Sequence, residues 1–232
     1  AKRYFGVIPA RALPVRKPQD EPVQIGEKRV VVKVPAKVPY LLMAWHAPIL
    51  KDWEKDTAPY ALQILAGVLS GNDSARLQKS LVKIQQIAVS TSAGYDAVSR
   101  GPGMFMIDAT PAPGKTTDKL EKAIRGQIEQ IQRDGISEAE LARVKAQVIA
   151  ADVFQRDSLF FQAMQLGEYV TAGLPPEALA HRVEKLRAVS AGEVQAAAKQ
   201  WLQDDQLSVG ILDPQALQPQ TRRPAVPGVR HD

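Results

Sequence analysis

The sequence has no cysteine among its 232 residues. Disulfides and thiolate metal sites are therefore excluded. Histidine is scarce too: there are three, His46, His181 and His231. A catalytic zinc needs two or three His beside a carboxylate, converging on one point. These three are scattered along the chain. No apolar run approaches the roughly 20 residues that cross a bilayer. The opening stretch, AKRYFGVIPA, lacks the apolar core of a secretory signal. If the natural protein is exported, its signal is expected upstream of this chain. Neither the nucleophile elbow G-x-S-x-G nor the phosphate loop G-x-x-x-x-G-K-[ST] occurs. Gly101-Pro102-Gly103 reads as a turn.

What is present is ordinary for a globular protein: 45% apolar and 24% charged residues. That suffices for a sizeable core in one large domain or two small ones. The net charge of +5 is unevenly spread. Residues 1–37 hold nine Lys/Arg against three Asp/Glu, and residues 219–232 hold three against one. Residues 38–218 hold eighteen against twenty-one, a net of −3. The basic character belongs to the flanks, so no basic face for nucleic acid is expected on the fold.

Periodicity assigns most of the chain. Residues 4–8 (YFGVI) read as a short strand. Residues 9–27, rich in Pro and charge, read as a linker. Arg29–Val34 and Tyr40–His46 read as strands joined by the PAKVP turn. A helix follows over Ala58–Leu69, with Pro59 in its first turn, where the missing N–H costs nothing. Ser70-Gly71 ends it, and a second helix is expected from Asp73 or Ser74 to about Ile84. Residues 87–95 and 104–110 read as a strand pair. Leu120, Ile124, Ile128 and Ile131 mark an amphipathic helix. Ser137-x-x-Glu140 opens another as a capping box. Helices are expected over 159–171, 176–188 and 190–202, then a closing strand, Leu207–Leu212. The tail over 216–232 is expected to be disordered. Together these give an α+β fold: a mainly antiparallel sheet covered by helices.

No residue cluster in this pattern is a self-contained active site. His181-Arg182-Val183-Glu184-Lys185 comes near the inverted zinc motif H-x-x-E-H, but Lys185 stands where the second ligand belongs. A solvated amphipathic helix explains it better. His46, at a strand end beside Trp45, reads as a packed or capping residue. The pairs Glu138/Glu140 and Asp204/Asp205 read as solvated charges.

Residues 69–81, LSGNDSARLQKSL, resemble the L-G-x-G-x-x-S-R-L-x-x-x-L segment of the C-terminal domains of insulinase/pitrilysin-type zinc metallopeptidases. Further resemblances follow in order: YFGVIP, VPYLLMAWHAPILKD, DGISEAELARVKAQV, VSAGEVQAAAKQWL and LSVGILDP. Together they span about residues 1–215. The resemblance implies the metallohydrolase fold of the mitochondrial processing peptidase type. It implies an enzyme of two homologous halves closing around an unfolded peptide, with zinc held by H-x-x-E-H in the N-terminal half. Here the equivalent helix, Ala58–Leu69, has no His, so the chain resembles the half without zinc, and no cofactor is expected in it.

The same resemblance implies that residues 1–215 form one non-zinc-binding peptidase domain walling a peptide chamber. Ser74, Arg76 and Lys83 are the candidates to line that chamber. An Arg-Tyr pair that helps hold the substrate carbonyl in active members falls at Val82 and Val89, so both are replaced. The implied partners are the chain's own N-terminal zinc-binding domain, a homologous subunit and unfolded peptide, with no nucleic acid and no membrane span. Bacterial relatives imply a periplasmic location, and a cytoplasmic one stays open. So do two other readings: a non-catalytic assembly subunit of this family, and a stand-alone enzyme using His46.

Overall fold

The computed structural model describes residues 2–9, 22–155 and 157–216. Five strands form one sheet: β1 (Lys28–Pro35), β2 (Tyr40–Ala47), β3 (Ala88–Tyr95), β4 (Gly103–Pro111) and β5 (Leu207–Gln215). Their spatial order is β1-β5-β2-β4-β3. The helices are α1 (Lys2–Phe5), α2 (Ala58–Ser70), α3 (Thr117–Asp134), α4 (Glu138–Gln155), α5 (Leu159–Ala172), α6 (Pro176–Ala188) and α7 (Ala191–Trp201), with a π-helical turn over Gln78–Ile84. The α+β class is as expected, and the β5-β2, β2-β4 and β4-β3 pairs are antiparallel. The sheet is nevertheless mixed, because β1 runs parallel to β5.

That parallel pair corrects the expected β1-β2 neighbourhood. The closing strand inserts between them, pairing with β1 on one side and β2 on the other. The physical reason is burial. Leu207 and Val209 have core-facing side chains to bury. Strand β1 has Lys28, Arg29 and Lys33 and no buried residue, which suits an edge. Residues 4–8 are also corrected: Lys2–Phe5 is a helical turn, closed by Gly6 N–H donating to the Lys2 carbonyl at 2.9 Å. Without a strand to pair with, its backbone bonds locally. The linker-like segment falls mostly on residues 10–21, and the tail on residues 217–232, both outside the described residues.

Helix α2 sits at the centre of the core. Tyr60, Leu62, Ile64, Leu65 and Leu69 are all buried there. Leu41, Met43 and Trp45 of β2, and Phe105 and Ile107 of β4, meet it from the sheet, with Leu120, Ile124, Ile128 and Ile131 of α3 beside them. Trp45 and Phe105 face each other across the ladder, edge to face at 6.5 Å. Gly67 lets α2 approach α4, since a Cβ there would lie 2.8 Å from Val144 Cγ1.

Two local expectations changed. The helix anticipated from Asp73 begins only at Arg76 and widens into the π turn. Residues 72–75 make a turn instead: Asn72 Oδ1 accepts from the Ser74 N–H at 2.7 Å, and its carbonyl from the Ala75 N–H at 3.0 Å. At Ser137, only half of the capping box forms. The Glu140 N–H donates to Ser137 Oγ at 3.2 Å, but the Glu140 carboxylate is turned to Arg76. A complete box forms instead at Ser190 and Glu193.

Edge strand β1 is tied down by charge. Arg29 and Arg125 both donate to the Glu121 carboxylate, at 2.7 and 2.8 Å. Burial pushes the Glu121 carboxyl up, and the two guanidinium groups more than offset this, leaving it below its usual value of 4.5. A depressed carboxyl stabilises the fold above that value and loses the effect as pH falls through the folded one. Glu121→Gln is therefore expected to cost about 1–2 kcal/mol near neutral pH, discounted for the partly exposed Arg29. The gap between the two proteins should narrow as the pH is lowered from neutral to well below 4.5. Urea midpoints at both pH values check this, and an equal loss at both would refute the ion-pair account.

Candidate functional site

The sheet has two unlike faces. Along β4, Gly103, Phe105, Ile107, Ala109 and Pro111 are buried, while Met104 and Met106 are exposed and Asp108 and Thr110 half-buried. Strand alternation makes these two opposite faces. The register extends the open face across the sheet. Met106 lies opposite Ala44, which lies opposite Ser208. Asp108 lies opposite Leu42, then Gly210, then Val30. Tyr40 lies opposite Leu212, then Val32. Helices α2, α3 and α7 pack on the other face.

The open face is therefore broad and mainly apolar. Val30, Val32, Val34, Met104 and Met106 are all exposed on it. Polar groups lie among them, and Gln24 covers one part, accepting from Ser208 Oγ at 3.2 Å. Burial raises the Tyr40 hydroxyl above its ordinary pKa, and the neighbouring Asp108 carboxylate adds to the rise. His46 sits opposite Met104 at the end of β2. It borders a cleft of about 920 Å³ with Lys55, Asp56, Arg100 and Trp201. Asp56 there is engaged with the backbone N–H groups of Lys51 and Asp52, both at 2.9 Å.

The sequence candidates Ser74, Arg76 and Lys83 are brought together, but elsewhere. All three line a groove of about 650 Å³ among the π turn, α3 and α4, and no strand residue borders it. Arg76 is held by a two-pronged pair with Glu140, at 2.9 and 2.7 Å. Lys83 Nζ lies 3.9 Å from Asp73. Lys79 and Arg143 complete the basic lining. Sequence reading missed them because Arg143 comes from α4, 60 residues beyond Lys83, and only the fold joins the two.

Val82 and Val89 flank the hinge from the π turn into β3. Val82 is half-buried against the core, whereas Val89 is 59% exposed beside the bulge between Ala88 and Ser90. Between them Gln86 adopts φ 51°, the one described non-glycine residue with positive φ.

The residues do not fit a zinc ion. Among the described residues, no three of His, Asp and Glu gather as metal ligands. Helix α2, APYALQILAGVLS, offers none of these residue types. His181 stacks on Trp53 at 5.0 Å, with Nδ1 3.0 Å from Glu184, and Lys185 reaches over the same indole. That cluster joins α6 to the loop after β2. No described helix is long and apolar enough to cross a membrane.

The geometry defines an α+β domain with one sheet face covered by helices and a central helix free of His, Asp and Glu. Residues 1–148 match the family model of the peptidase M16 inactive domain, and the chain belongs to that family. No curated protein matches it. Solved structures share the fold. A protease from Helicobacter pylori superposes with TM-score 0.82 at 20% identity, covering 92% of this chain and 51% of that one. The peptidase M16 inactive domain from Pseudomonas fluorescens gives 0.73 at 17%, covering 89% and 48%. The periplasmic protease PqqL from Escherichia coli gives 0.69 at 20%, covering 92% and 23%. The chain thus spans about half the length of the first two.

Proposed function

We propose that this domain forms one wall of the peptide-binding chamber of a zinc metalloendopeptidase, with its open sheet face turned toward an unfolded peptide. The supporting observation is that helices cover one face of the sheet and leave Val30, Val32, Val34, Met104 and Met106 exposed on the other. Monomeric soluble proteins seldom leave a broad apolar surface without a binding role. Zinc and the general base belong, on this reading, to an N-terminal half, which is the first partner; a homologous subunit is the second. A periplasmic location is proposed from the likeness to the Escherichia coli protease. Replacement of the Arg-Tyr pair at Val82 and Val89 supports a second reading, a non-catalytic assembly subunit. An H-x-x-E-H motif in the N-terminal half favours the first reading, and its absence the second.

The wall is tested by photo-crosslinking in the full-length protein. A benzoylphenylalanine at Met106, on the open face, is expected to capture an unfolded peptide. The same probe at Phe160, 79% exposed on α5, should capture little. Equal capture at both positions would remove the case for the wall.

A further inference from the structure

We propose that the groove between the π turn and helices α3 and α4 binds a dianionic phosphoryl group. The charge distribution singles this groove out. Residues 38–218 carry a net negative charge, yet the groove is lined by Arg76, Lys79, Lys83 and Arg143 against Asp73 and Glu140. The two acids already have partners. Glu140 is committed to Arg76, where both side chains are more than four-fifths buried, and Asp73 faces Lys83. Lys79 and Arg143 have no carboxylate partner among the described residues. Two positive charges are thus left over, which matches a phosphoryl dianion and exceeds a single carboxylate.

The rest of the lining points the same way. Ser74, Ser80, Gln127 and Gln130 add hydroxyl and amide donors. A ligand rich in acceptor oxygens satisfies such a set, and a cationic or apolar one does not. The volume, about 650 Å³, lies within the range of small-molecule sites. The cations are also held in place. Arg76 is fixed by Glu140 and by the Gly135 carbonyl at 3.3 Å, so α4 and the turn before it are locked to the segment carrying Lys79. Lys79 and Lys83, four residues apart on the π turn, share the groove-facing side. Wide turns of this kind recur at functional sites. The groove lies on the helical side of the sheet, so its ligand does not compete with peptide on the open face.

The probe is inorganic phosphate, titrated into the purified chain and followed by phosphorus NMR line broadening. A simple phosphomonoester, glycerol phosphate, is titrated separately, and the tighter binder identifies free ion or ester as the source. Saturable binding is expected, weakened about fivefold or more by Lys79→Gln and by Arg143→Gln, since each removes a charged donor at a partly exposed site. Asp73→Asn should strengthen it by removing a like charge. These are surface substitutions, and circular dichroism confirms that each variant folds. Binding that never saturates overturns the proposal. So does binding that the Lys79 and Arg143 variants leave unchanged, or that acetate abolishes at equal concentration.

Discussion

Val82→Arg combined with Val89→Tyr is expected to raise peptide turnover by the full-length protein about 100- to 1000-fold, the range that one lost transition-state donor typically costs. The expectation rests on the chamber reading. Zinc and base can activate water, but amide hydrolysis also needs groups that hold the carbonyl as charge develops on its oxygen. Valine can supply neither a cation nor a donor. The positions favour a test. Val89 is 59% exposed at the bulge opening β3, so a tyrosine fits there without disturbing the core. Val82 is half-buried against the core, so the longer arginine stem must turn outward from it. Val89→Tyr alone serves as the folding control. A homologous subunit that carries Arg and Tyr should restore activity in the same way. Full activity in the unaltered protein, unchanged by either addition, would refute the idea that these two positions limit turnover.

Trp45→Ala is expected to be the most destabilising single substitution considered. Trp45 is 1% exposed, pairs with Phe105 and sits where β2, β4 and β5 meet the helices. Truncating a buried aromatic costs about 3–5 kcal/mol through lost transfer energy and the cavity left behind. For a domain of this size that is a fall in melting temperature of roughly 10 °C. Trp45→Phe should cost clearly less. It keeps most of the ring and removes an indole N–H that is buried without a hydrogen-bond partner in the protein. Calorimetry on both variants decides the matter. Equal losses would show that the N–H has a partner worth as much as the packing.

Much of the architecture was legible along the chain because local periodicity is written in consecutive residues. Leu120, Ile124, Ile128 and Ile131 mark α3 by spacing alone, and all four are buried against the sheet. The alternation in MFMIDAT correctly signals a strand with two unlike faces. The α+β class and the family were both readable, the second from ordered short motifs. Local bonding choices were less readable. Glu140 sits at the capping-box position after Ser137, but Arg76, 64 residues away, offers its carboxylate a charged partner, and the charged pair wins.

The sequence by itself determined most of the helices and strands, that α2 has no His, Asp or Glu, and that no cysteine site exists. Those properties depend on neighbouring side chains and on residue types present or absent. Tertiary structure alone decided the placement of β5 between β1 and β2, which sheet face stays open, and which cations meet across the groove. Each depends on contacts between residues far apart in the chain, where competing pairings differ in buried area and not in local pattern. On the covered face β5 presents Leu207, Val209 and Ile211, where β1 presents Arg29, Val31 and Lys33. That difference in burial, not any local signal, sets the order of the sheet and hence the make-up of its open face.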